Sequence, residues 1–137
     1  RRLRGIVVSH AAADRVLLGS SIGGVSALYG ALTRPGVFGG AVALSPSAWV
    51  DDGFLLRTAL AHDTVHARIG ADIGDGERPP IREHCNRLFD VLGARGGDRV
   101  TASEVSGVHN EDSWRQRLPR LLQHVLGRGD AAHEPFV

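Results

Sequence analysis

The chain has 137 residues, 42% of them hydrophobic and 23% charged, which is enough apolar mass for one folded core and too much for disorder. Sixteen basic and fifteen acidic side chains give a formal charge of +1, so neither nucleic acid nor an anionic membrane surface is expected as a partner. Every basic residue is an arginine, and without lysine a P-loop phosphate lysine, a pyridoxal Schiff base and an SxxK acylase are all excluded.

Taken in chain order, Arg1-Arg2-Leu3-Arg4, Gly5-Ile6-Val7-Val8 and Ala11-Ala12-Ala13 imitate the basic, apolar and small-residue order of a signal peptide. The apolar stretch is shorter than the roughly 7–15 residues such a region needs, and no run reaches the roughly 18 of a membrane span. An arginine at position 1 and the absence of methionine predict that the sequence starts inside a longer polypeptide. From there short β-branched runs alternate with stretches of helical spacing, the pattern of parallel βαβ units. Arg15 to Leu18 reads as a strand ending at Gly19. Val25, Leu28, Ala31 and Leu32 then keep helical spacing until Pro35-Gly36. Gly39 to Leu44 is the second strand, closed by Ser45-Pro46, and a short helix follows over Phe54 to Ala61. Val65 to Ile69 is a weaker third strand, and Gly70 to Pro80 reads as loop by composition.

Ile81, Cys85, Leu88, Phe89 and Leu92 form the apolar face of a helix that stops at Gly96-Gly97. Arg99 to Val105 is the fourth strand. The turn 106–110 leads into a last helix, with Trp114, Leu118, Leu121, Leu122 and Val125 on one face and Glu111 and Asp112 in its first turn. Residues 128–137 are expected to be a flexible tail.

Gly19-Ser20-Ser21-Ile22-Gly23 is a G-x-S-x-G pentapeptide between an apolar strand and a helix. At such a corner Ser21 is thrust out at the carboxyl end of the sheet, and the N–H of Ile22 can meet an oxyanion there. Gly19 and Gly23 are expected because a Cβ at either would collide across so sharp a bend. A serine hydroxyl needs a base, and a base needs an orienting acid. Among seven histidines, His109 is the one in a turn between a strand and a helix. His62 and His66 share i, i+4 spacing, but in a loop entering a strand, so no shared metal is expected. Asp72, Asp75 and Glu77 all lie between Ser21 and His109 and all qualify as the acid. Cys85, on the apolar face of its helix, is a weaker nucleophile candidate than Ser21. As a lone cysteine it makes no internal disulfide and points to a reducing, cytoplasmic compartment.

Four segments in order resemble the esterase family of α/β-hydrolases, in its enterochelin-esterase-like branch. Asp14 to Gly24 (DRVLLGSSIGG) resembles the nucleophile strand and elbow, and Leu44 to Trp49 (LSPSAW) the S-P-S-x-W stretch. Gly74-Asp75-Gly76-Glu77 resembles the G-x-x-E loop, and Gly107 to Leu118 (GVHNEDSWRQRL) the G-x-H-N-E-x-x-W-x-x-R-L segment. The resemblance covers roughly residues 14–126. It implies a three-layer α/β-hydrolase fold with a mostly parallel sheet, here as a single N-terminally truncated domain of about four strands. It implies Ser21 as nucleophile and His109 as base. Glu77 is the expected acid, with Asp75 or a dyad without acid as alternatives, since Asp75-Gly76 replaces a more usual Thr-containing pair. The expected substrate is a small-molecule ester, with no cofactor and no metal. No second oxyanion donor is legible, and an exposed sheet edge would permit a homo-oligomer. The alternatives from other classes are a non-catalytic binding module on the same scaffold, or an inactive fragment. A nucleotide-binding βαβ unit is disfavoured, because Ser21 stands where the second glycine of G-x-G-x-x-G belongs.

Overall fold

The computed structural model describes residues 9–127, together with the backbone of 2–3 and 6–7. The tail expected over 128–137 lies outside the described residues. Two short strands, β1 (Arg2–Leu3) and β2 (Ile6–Val7), pair antiparallel apart from the main sheet. The main sheet is parallel and its strands follow chain order: β3 (Val16–Ser20), β4 (Gly40–Leu44), β5 (Arg68–Gly74) and β6 (Val100–Val105). Between and after them run α1 (Ile22–Thr33), α2 (Val50–Leu60), α3 (Pro79–Gly96) and α4 (Glu111–Leu126).

Side chains alternate across a strand, and β4 divides its own between two cores. Ala41 and Ala43 join the larger cluster with Leu28, Leu32, Leu55, Leu88 and Leu92, so α1, α2 and α3 cover one face. Val42 and Leu44 join Leu121 and Val125 of α4, which covers the other. This is the three-layer architecture expected. No helix among the described residues is long and apolar enough to cross a membrane. β3 is an edge strand of the sheet, and Leu18 on it is half exposed.

The third strand departs from the sequence reading. It begins at Arg68 and runs to Gly74, through residues read as loop. β5 is sandwiched between β4 and β6 and is buried on both faces from Ile69 onward. A Cβ on Gly70 would come within 2.9 Å of the Leu121 carbonyl oxygen, so the glycine marks close approach of α4 rather than a turn. The second helix also starts earlier than Phe54. Its first turn passes through left-handed Asp51, Asp52 and Gly53. The Arg57 guanidinium holds that turn, donating to the carbonyls of Asp52 (2.7 Å) and Asp51 (3.0 Å).

Candidate active site

Because all four strands run parallel, their carboxyl ends open onto one edge, and each delivers a polar residue there. Ser21 follows β3 with φ 54° and ψ −122°, a left-handed conformation that costs a non-glycine residue about 1–3 kcal/mol. Backbone bonds hold it there. Its N–H donates to the Leu44 carbonyl at 2.9 Å, and its carbonyl accepts from the N–H groups of Gly24 (3.1 Å) and Ser47 (3.1 Å).

The two motif glycines differ. A Cβ on Gly19 would lie 2.2 Å from the Gly23 carbonyl oxygen, whereas a Cβ on Gly23 would meet nothing within 4 Å. The expected steric need for glycine at 23 is therefore wrong: the backbone of Gly23 crowds Gly19, while its own Cβ direction is open. It is Gly24 that approaches Pro46, at 3.2 Å. Gly19→Ala is expected to lower stability by about 1–3 kcal/mol through overpacking. Gly23→Ala should be neutral or add up to about 1 kcal/mol through helix propensity. Urea unfolding of both variants checks the pair, and equal losses would refute it.

The Ser21 hydroxyl lies 3.1 Å from His109 Nε2 and 3.2 Å from Ser47 Oγ. His109 sits in the turn between β6 and α4. Beside it, the Val108 N–H donates to Ser113 Oγ at 3.0 Å, and Asn110 caps α4 by accepting from the Ser113 N–H at 2.9 Å. The imidazole packs edge-on to Trp114, with ring centroids 4.9 Å apart at 80°. Its Nδ1 is 2.7 Å from Glu77 Oε1. An ionised carboxylate only accepts, so Nδ1 carries the proton; Nε2 is then the acceptor, and the Ser21 hydroxyl donates to it.

Of the three candidate acids only Glu77 reaches His109. Its side chain is almost wholly buried, and its second oxygen, Oε2, accepts from the Gly74 N–H at 2.7 Å and the Ser45 hydroxyl at 2.6 Å. Asp75 is exposed and accepts from the Gly107 N–H at 3.2 Å, so it holds the His109 turn and does not contact the imidazole. Asp72 lies inside β5, fully buried, and pairs with Arg117 at 2.7 Å and more loosely with Arg120 at 3.5 Å. Burial pushes its carboxyl up to about 6 against the opposing pull of the two guanidinium groups. Cys85 is buried and its thiol donates to the Pro46 carbonyl at 3.1 Å. Burial raises that thiol to about 12, which removes it as a nucleophile. Ile22 opens α1, where the first N–H groups have no carbonyl one turn back to pair with. Among the described residues no three His, Cys, Asp or Glu side chains converge as a metal-ligand set.

Asp72, expected as a candidate acid, is instead the buried partner of Arg117, and Ser45, Ser47 and Arg117 carry no role in the sequence reading. The available signal was an arginine embedded in the apolar stripe of the last helix, since a guanidinium facing a sheet needs a buried partner.

The family described as "Putative esterase" matches residues 6–125, so the match reaches further toward the N-terminus than the resemblance read from motifs. No curated protein matches the chain. Among solved structures, the enterobactin esterase of Shigella flexneri, determined with enterobactin, is 30% identical with a TM-score of 0.72. The alignment covers 82% of this chain and 30% of that one. The ferric enterobactin esterase of Salmonella typhimurium is 28% identical with a TM-score of 0.67, covering 81% and 30%. An S-formylglutathione hydrolase from Staphylococcus aureus, 21% identical with a TM-score of 0.62, shares the fold over 82% of this chain and 51% of its own. The chain thus spans about a third of the length of the enterobactin esterases it resembles.

Proposed function

The chain belongs to the esterase family that matches it, and from that premise we propose that it is a serine hydrolase cleaving a carboxylic ester through an acyl-serine intermediate. One observation carries the reading: the unbroken hydrogen-bonded line from Ser21 Oγ through His109 to Glu77, at 3.1 and 2.7 Å. Ser21 Oγ attacks the ester carbonyl carbon while its proton passes to His109 Nε2. The resulting imidazolium is stabilised by the Glu77 carboxylate on Nδ1. The developing oxyanion meets the Ile22 N–H at the positive end of α1. His109 returns the proton to the leaving alkoxide as the carbon–oxygen bond breaks. Water, deprotonated by the same imidazole, then releases the acid and restores the Ser21 hydroxyl.

Incubation with a fluorophosphonate, followed by peptide mass mapping, tests the assignment. The expected result is one phosphonyl adduct, on the peptide carrying Ser21, which disappears on prior denaturation. A chain that stays unlabelled while folded would be a non-catalytic module on a hydrolase scaffold, and the proposal would fall.

A further inference from the structure

The buried polar side chains behind His109 form one connected set. Ser45 closes β4 with a left-handed φ of 46° and is fully buried, so bulk water does not compete for its hydroxyl. A hydroxyl has one proton and two lone pairs. Trp114 Nε1 and Arg117 Nη2 both lie 3.0 Å from Ser45 Oγ, and an indole N–H and a guanidinium can only donate. Both lone pairs are therefore occupied, and the proton has one acceptor left, Glu77 Oε2 at 2.6 Å. The guanidinium that imposes this is itself fixed. Its Nη1 donates to Asp72 Oδ1 at 2.7 Å, its Nε to the Ser113 carbonyl at 3.3 Å, and its Nη2 also to the Val108 carbonyl at 3.3 Å.

We propose that Ser45 is the positioning residue of the Glu77 carboxylate, its hydroxyl held as an obligate donor by Trp114 and by an Arg117 anchored on Asp72. This rests on the roles proposed above for Ser21, His109 and Glu77. With the Gly74 N–H and the Ser45 hydroxyl both on Oε2, the carboxylate cannot swivel, and Oε1 stays on His109 Nδ1. Ser45 hydrogen-bonds to neither the imidazole nor the Ser21 hydroxyl, and its one hydrogen bond to the triad is the one it donates to Glu77. Trp114 serves twice, with its N–H on Ser45 and its ring against the imidazole.

The test compares the wild-type chain with Ser45→Ala, using a short-chain p-nitrophenyl ester for kinetics and proton NMR for the far-downfield resonance of His109 Nδ1–H on Glu77. Ser45→Ala is expected to lower kcat by about ten- to a hundredfold, the worth of one hydrogen bond to a charged acceptor, with KM changed by less than about twofold. The downfield resonance should broaden or vanish, while Ser21 still takes up fluorophosphonate. Because alanine leaves two buried donors without an acceptor, Trp114→Phe is made in parallel. It keeps a ring on His109 but removes one of the two donors that fix the Ser45 hydroxyl, so the aim of that hydroxyl at Glu77 loosens. A kcat loss of about three- to tenfold with a weakened resonance is then expected. An unchanged resonance in whichever variant folds would make Ser45 mere scaffold and overturn the proposal, even if kcat falls. If the wild-type chain itself lacks the resonance and Glu77→Gln keeps full activity, the triad reading fails first, an outcome separable from failure of Ser45 alone.

Discussion

Ser21→Ala is expected to lower kcat for a short-chain aryl ester by about a millionfold, to the level that binding and the oxyanion site sustain by themselves. The size of the effect follows from the geometry, since Ser21 Oγ is the atom that His109 Nε2 faces at 3.1 Å. His109→Ala should cost a similar factor, and the double variant little more, because the two groups act as a unit. Stability should move independently of activity. Ser21→Gly, which also removes the hydroxyl, relieves the left-handed strain at φ 54° and is expected to unfold later in denaturant by about 1–3 kcal/mol. A Ser21→Ala chain that turns over the ester at a comparable rate would refute the assignment. A Ser21→Gly chain less stable than wild type would deny the backbone strain at this corner and leave the catalytic assignment to the kinetics.

The second large effect separates the acids. Glu77→Gln should lower kcat about ten-thousandfold, because the amide can present an N–H to His109 Nδ1 and so select the tautomer in which Nε2 carries the proton and cannot accept one from Ser21. Asp75→Asn should change kcat by less than about threefold, because an asparagine carbonyl can still accept from the Gly107 N–H as the Asp75 oxygen does at 3.2 Å. Steady-state kinetics on both variants gives the ranking. The reverse order would move the acid to Asp75, and no effect from either would leave Ser21 and His109 as a dyad.

How much of this was legible in the sequence depends on the span of the interactions involved. The corner at Ser21 is written within five residues, since a strand, G-x-S-x-G and a helix follow one another without interruption. Gly19 is needed against Gly23, four positions away. His109 was legible for a related reason: a turn after a strand returns to the same sheet edge in any parallel sheet. The acid was not, because Asp72, Asp75 and Glu77 fall within six positions and share composition. Their fates separate only because β5 runs on to Gly74. That extension buries Asp72 against α4 and leaves Glu77 in the turn beneath the imidazole. The extension itself was hidden, since Gly70 and Gly74 look like loop residues until the approach of α4 and of the His109 turn shows what excludes a side chain there.

The sequence alone determined the alternation of strand and helix, the parallel sheet that follows from it, and the position of a serine and a histidine at its carboxyl edge. These are consequences of local period and punctuation. Only the tertiary structure decided which carboxylate meets the imidazole, that Gly23 has open space where Gly19 has none, and that Ser45 joins Glu77, 32 positions away, to Arg117, 72 positions away. Those outcomes depend on contacts between elements far apart in the chain, where burial removes water and leaves each buried donor and acceptor dependent on the few partners that packing brings within reach.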